Sequence, residues 1–179
     1  QIKDYYILLD IVSMFVKCMR DNDYPFGLHE LFDEQSDEIK TLNNKLNNPV
    51  ETWNPRLPQN KFFICEVDLE CHPLEVEPPL GMKTAISGKG FKASYTLHWE
   101  NTRRTGWYTS IDIYLCLRNK GKVHNIKRAF IWPYRGNIFC KWISKTFDGK
   151  KAAKKSGEKA KEKFYKTVGN GCYGSSLQR

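Results

Sequence analysis

An α+β domain is the fold class this sequence predicts, and three observations predict it. Phe63, Cys65, Val67, Leu69 and Cys71 alternate with polar partners, the mark of a half-buried strand. Lys122 to Pro133 (KVHNIKRAFIWP) reads as a second strand. Two helical segments then close the chain, Ile138 to about Phe147 and a basic one from about Lys151 to Val168. Strands and helices mixed in this order suggest α+β. At 179 residues, 40% of them hydrophobic and 13% aromatic, the chain can bury a core and suits one domain, or one and a fraction.

The remaining elements follow in order. Tyr5-Tyr6-Ile7-Leu8-Leu9 is a continuous apolar run ending in Asp10, the pattern of a strand buried on both faces. Ser13 is placed to cap a short helix running to about Arg20, which Asp21-Asn22-Asp23-Tyr24-Pro25 breaks. Residues 29–47 read as a polar helix and 47–60 as a loop punctuated by Asn, Pro and Trp. Pro73, Pro78 and Pro79 end the strand that starts at Phe63. Residues 81–106, rich in Gly, Thr, Ser and Lys, predict a hairpin or loop with a strand at Ser94–Trp99. Thr109 or Ser110 caps a helix running to about Arg118, closed by Gly121.

Charge is divided unequally along the chain. Residues 1–80 carry 7 Lys and Arg against 15 Asp and Glu, a balance of −8, whereas residues 81–179 carry 22 against 5, a balance of +17. A basic half is the footprint of a polyanion partner such as nucleic acid or nucleotide phosphate, the plainer reading being a solvated charged surface. No run reaches the roughly 18–20 apolar residues that cross a bilayer, so no membrane partner is expected. The six cysteines, Cys18, Cys65, Cys71, Cys116, Cys140 and Cys172, form no CxxC pair and no zinc-finger spacing. Most have apolar neighbours and read as reduced thiols of an intracellular protein. The chain opens on Gln1 with no basic-then-apolar leader, so no signal peptide is expected, and its start in an apolar run reads as that of an internal piece.

Two constellations carry chemistry. Asp10 at the end of an apolar run, followed at once by a capped turn (LDIVSMF), is a geometry that chelates Mg²⁺ and offers backbone N–H groups to phosphates. The plainer reading is a carboxylate that starts a turn. Further on, lysines crowd residues 150–166, and Lys159, Lys163 and Lys166 fall at i, i+4 and i+7 on one helical stripe. Lys166 and Asn170 share a face and Tyr173 lies one turn on; a lysine, an amide and an aromatic so arranged can hold a triphosphate and stack near a base. Here the plainer reading is a solvated lysine-rich helix ending at a glycine.

Together these residues resemble a known family. LDIVSMF resembles the DxxSLYP signature (motif A) of family B DNA polymerases, and Lys166-Thr-Val-Gly-Asn170-Gly-Cys-Tyr173-Gly174 resembles their KxxxNSxYG signature (motif B). The order and the roughly 150-residue separation are those of the protein-primed branch of phages, linear plasmids and some viruses. Tyr24-Pro25-Phe26-Gly27, the stretch from Phe62 to Leu80, and Ile138-Phe139 with Trp142-Ile143 and Lys150 are similar to further stretches of that branch.

The resemblance implies a palm-sheet portion with an inserted primer-protein-contacting subdomain and helical fingers. Residues 1–28 would be a palm segment with motif A, 29–106 the palm insertion, 107–135 a palm segment, and 136–179 the fingers helices with motif B. Asp10 matches the carboxylate that binds both catalytic Mg²⁺ ions, with Ile11 adding its backbone carbonyl. Ser13, Met14 and Phe15 match Ser-Leu-Tyr, whose backbone faces the triphosphate and whose aromatic ring excludes a 2′-hydroxyl. Lys166 matches the α-phosphate lysine, and Asn170, Tyr173 and Gly174 line the nascent base pair. Lys150 or Lys154 matches a second triphosphate lysine at altered spacing.

Phe15 replaces Tyr, Val16 replaces Pro and Gly171 replaces Ser. No YxDTD motif C occurs, and two-metal phosphoryl transfer needs at least two carboxylates, so this piece alone is expected to be inactive. The implied function is DNA-directed DNA polymerisation, protein-primed, with DNA template and primer, dNTPs and a terminal protein as partners. The alternatives are a non-catalytic nucleic-acid-binding module and an inactive polymerase remnant.

Overall fold

The computed structural model describes residues 14–71, 80–87, 94–98 and 102–176. The predicted strand ending at Asp10 lies outside them. The described elements run α1 (Met14–Asp21), β1 (Tyr24–Phe26), β2 (Glu30–Phe32), α2 (Asp37–Lys45), a 3₁₀ turn (Val50–Trp53), β3 (Phe63–Glu70), β4 (Met82–Ser87), β5 (Ser94–His98), β6 (Arg103–Thr109), α3 (Ser110–Arg118), β7 (Lys122–Ile131), β8 (Tyr134–Gly136), α4 (Cys140–Lys155) and α5 (Lys159–Ser176). Two compact units result, one from the described parts of 1–24 and 136–179, the other from 25–135.

The second unit is organised by a four-stranded antiparallel sheet in the order β2-β7-β3-β6. β3 lies at its centre and keeps the alternation legible in the sequence, with Phe63, Cys65, Val67 and Leu69 buried. These side chains meet Ile39 of α2 and Ile113 of α3, both fully buried, in one core. On the opposite face of β3, Glu66 pairs with Arg128 (2.6 Å) and Asp68 with Arg103 (2.5 Å). Arg103 lowers the pKa of Asp68, chiefly by hydrogen bonding and then by its charge. β7 shifts register against β3 between Glu66 and Val67. There the Asn43 amide of α2 accepts from the Ile126 N–H (2.8 Å) and donates to the Ile126 carbonyl (2.9 Å), so both backbone groups of that residue are satisfied.

Local chemistry explains where the reading of the sequence held and where it did not. Thr109 caps α3 in a reciprocal box, its hydroxyl accepting from the Asp112 N–H while the Asp112 carboxylate accepts from the Thr109 N–H. The hairpin expected within 81–106 forms between β4 and β5, but β6 begins at Arg103, inside that span. The polar helix read over 29–47 is corrected. Only Asp37–Lys45 is helical, with the Ser36 hydroxyl accepting from the Ile39 N–H (3.4 Å), whereas Glu30–Phe32 forms β2 opposite Ala129–Ile131. The span read as loop, 47–60, holds the 3₁₀ turn Val50–Trp53.

A second correction concerns the C-terminal helices. They divide at 156–158, where Gly157 adopts φ +74°, and not near Gly149. Gly149 lies inside α4, and its missing side chain makes room for the partner helix: a Cβ there would clash with the Tyr165 ring.

Candidate functional site

The described residues of the first unit form three helices around a small apolar centre. Val16 and Met19 of α1 meet Ile143 of α4, and Tyr24, Phe139 and Phe147 pack against them. Tyr24 and Phe139 make an edge-to-face contact with centroids 5.1 Å apart. The Phe147 ring faces two cations, with the Arg20 guanidinium 5.5 Å and the Lys151 ammonium 4.6 Å from its centroid. Arg20 also pairs with Asp21 (2.6 Å), and that hydrogen bond holds the Asp21 carboxyl below its usual range.

Helix α5 closes this centre through a buried glycine. A Cβ on Gly169 would stand 3.5 Å from Val16 Cγ2 and 3.6 Å from Thr146 Cγ2, so α5 touches α1 and α4 at one position. Val16 belongs to the first sequence signature and Gly169 to the second. The helices that carry the two signatures therefore pack against each other.

A neighbouring face of α5 is exposed. Lys159, Lys163, Lys166 and Asn170 are all open to solvent, and their i, i+4, i+7, i+11 spacing puts them on one face. Tyr173 is next on that stripe by spacing; the side chains of Tyr173 and Gly174 lie outside the described residues. Lys154 is exposed near the end of α4 and Lys150 is half-buried. Between the helices, the Ser156 hydroxyl and then Lys161 hold Glu158 below the usual carboxylate range, so this acidic group is engaged locally.

Asp10, Ile11 and Ser13 lie outside the described residues, and Met14 and Phe15 open α1 with their side chains likewise outside. Among the described residues no group of three or more His, Cys, Asp and Glu is placed to hold a metal ion. Asp10, the Mg²⁺ ligand that the resemblance implies, lies outside the residues in which such a group could be seen. Sequence reasoning missed Gly149 and Gly169 as packing residues. Their signal was a glycine inside a helical pattern, which marks close approach as often as a helix end.

The mixed helix-and-sheet architecture is similar to that of a solved polymerase, Phi29 DNA polymerase in its orthorhombic crystal form. The TM-score is 0.61 at 14% identity, and the match covers 93% of this chain and 25% of that one. At that identity the likeness is one of fold. The chain belongs to the family described as DNA polymerase type B, organellar and viral, whose model matches residues 1–176. It spans about a quarter of the length of the Phi29 enzyme. No curated protein matches, and among the described residues no helix is long and apolar enough to cross a membrane.

Proposed function

We propose that these residues form the nucleotide-binding part of a DNA-directed DNA polymerase that performs template-directed nucleotidyl transfer, in protein-primed replication within a cell. The contact between Val16 and Gly169 supports this most, since it brings the helices of both signatures together with Lys166 and Asn170 on a solvent-facing stripe. In this reading the backbone of Ser13, Met14 and Phe15 and the Lys166 ammonium receive the triphosphate. Asn170, Tyr173 and Gly174 flank the nascent pair, and Lys150 or Lys154 adds a second cation. Residues 1–28 and 107–135 would be palm, 29–106 the insertion that meets a terminal protein, and 136–179 the fingers.

Asp10, with the Ile11 carbonyl, is the proposed ligand for Mg²⁺. When bound, the ion would neutralise charge on the triphosphate. DNA would lie along the basic half, its affinity falling steeply with salt.

The test is Phe15→Val in the polymerase that carries these residues. A ring against C2′ rejects a ribose because the wall cannot yield. The ratio of kcat/KM for a dNTP over its rNTP should fall by about tenfold or more, while dNTP incorporation survives. An unchanged ratio with activity intact would place motif A in another register. Equal loss toward both nucleotides would make Phe15 ordinary core.

A further inference from the structure

The unit formed by residues 25–135 holds a pocket that the proposed nucleotide chemistry does not use. Its volume is about 340 Å³, within the range of small-ligand sites. Leu42, Phe63 and Ile131 contribute apolar wall. Lys45 lines it too, with its ammonium fixed: Nζ donates to Asn60 Oδ1 (2.6 Å) and lies 5.0 Å from the Trp53 ring centroid. Asn60 cannot turn away, because its Nδ2 donates to the Thr52 and Asn54 carbonyls (2.8 and 2.7 Å). Trp53 is held in turn, its Nε1 donating to the Lys45 carbonyl (3.2 Å).

Two lining groups carry unmet capacity. Burial pushes the Lys45 pKa below the ordinary lysine value, and no carboxylate among the described residues is recorded against it. A partly desolvated cation without a counter-charge is costly, and a bound anion would relieve that cost. Ser110 is 4% exposed, and its Oγ has no hydrogen-bond partner among the described residues. Asp37 and Glu38 also line the pocket. Lys61 lines it as well, so two lysines balance these two carboxylates, which disfavours a doubly charged ligand such as a phosphate ester more than a singly charged one.

We propose that this pocket binds a small aromatic monocarboxylate, its ring against Leu42, Phe63 and Ile131 and its carboxylate on the Lys45 ammonium. The test is an NMR titration of the intact chain with 2-naphthoate and with neutral 2-naphthamide, which has the same shape. Naphthoate should bind with Kd of about 0.1–1 mM and shift the amides of Lys45, Asn60 and Ser110. Naphthamide should bind about tenfold more weakly. Lys45→Met should weaken naphthoate about tenfold and leave naphthamide unchanged. If Lys45→Met does not fold, Lys45→Gln makes the same comparison. Failure of the folded wild type to bind naphthoate at about 10 mM, equal binding of the two probes, or full naphthoate affinity in the Lys45 variant would overturn the proposal. None of these outcomes depends on polymerase activity.

Discussion

The two units invest their residues differently. The unit of residues 25–135 buries a continuous core on a four-stranded sheet, from Ile39 and Trp53 through β3 to Ile113 and Ile131. The helical unit buries Val16, Met19 and Ile143 and closes through glycines that let backbones approach. Matched motif residues such as Lys166 and Asn170 sit exposed on the second kind of scaffold. On the proposed reading the larger core lies in one unit and the nucleotide chemistry in the other, and substitutions should sort accordingly.

Leu69→Ala should have the largest effect. Leu69 is fully buried on β3, an inner strand of the sheet, and truncation should cost about 2–5 kcal/mol, read by chemical denaturation. A loss below about 1 kcal/mol would mean that the sheet core is not the seat of stability.

Gly149→Val comes next. Its Cβ would meet the Tyr165 ring at 2.4 Å, so α4 and α5 must part or shift, at about 1–3 kcal/mol. Helical hydrogen-exchange protection should fall while sheet amides keep theirs; loss in both together would erase the distinction between the units.

Thiol labelling sharpens the contrast further. Cys18 is exposed, whereas Cys65 is fully buried and its thiol is pushed up to about 12 by burial. A thiol reagent should modify Cys18 rapidly and Cys65 only through opening of the sheet unit. Leu69→Ala should accelerate the second reaction alone. Equal rates in the unsubstituted chain would contradict the burial on which the comparison rests.

The smallest effect is electrostatic. Arg103→Ala should let the Asp68 pKa rise toward the ordinary aspartate value, read by carboxyl NMR. A carboxyl depressed in the folded state contributes stability above its unfolded pKa and loses it as pH falls through the folded one. Arg103→Ala should therefore flatten the acid limb of the stability curve slightly, since the pair lies at the surface.

Much of this arrangement was legible in the sequence because it is local. The alternation of β3, the Thr109 cap and the spacing of Lys159, Lys163 and Lys166 depend on neighbours a few residues apart. What was illegible depends on distant partners. β2 is three residues long and gains its identity from Ala129–Ile131, and position 149 must lack a side chain because Tyr165 needs the space. The pocket at Lys45 needs Asn60 and Ser110 brought together by the fold, and no pattern marks them. Motif B was readable from residue identity alone, whereas its packing on α1 through Gly169 was not.

The most direct measurement is kcat/KM for dNTP incorporation by Lys166→Ala in the polymerase that carries these residues, taken beside its unfolding midpoint. Lys166 is exposed and helical, so truncation should leave the midpoint within about 1 °C. If its ammonium stabilises the triphosphate in the transition state, kcat/KM should fall by about a hundredfold or more, with Lys163→Ala far milder. A loss under about threefold, or one that Lys163→Ala reproduces, would contradict the assignment of nucleotide chemistry to this helical face.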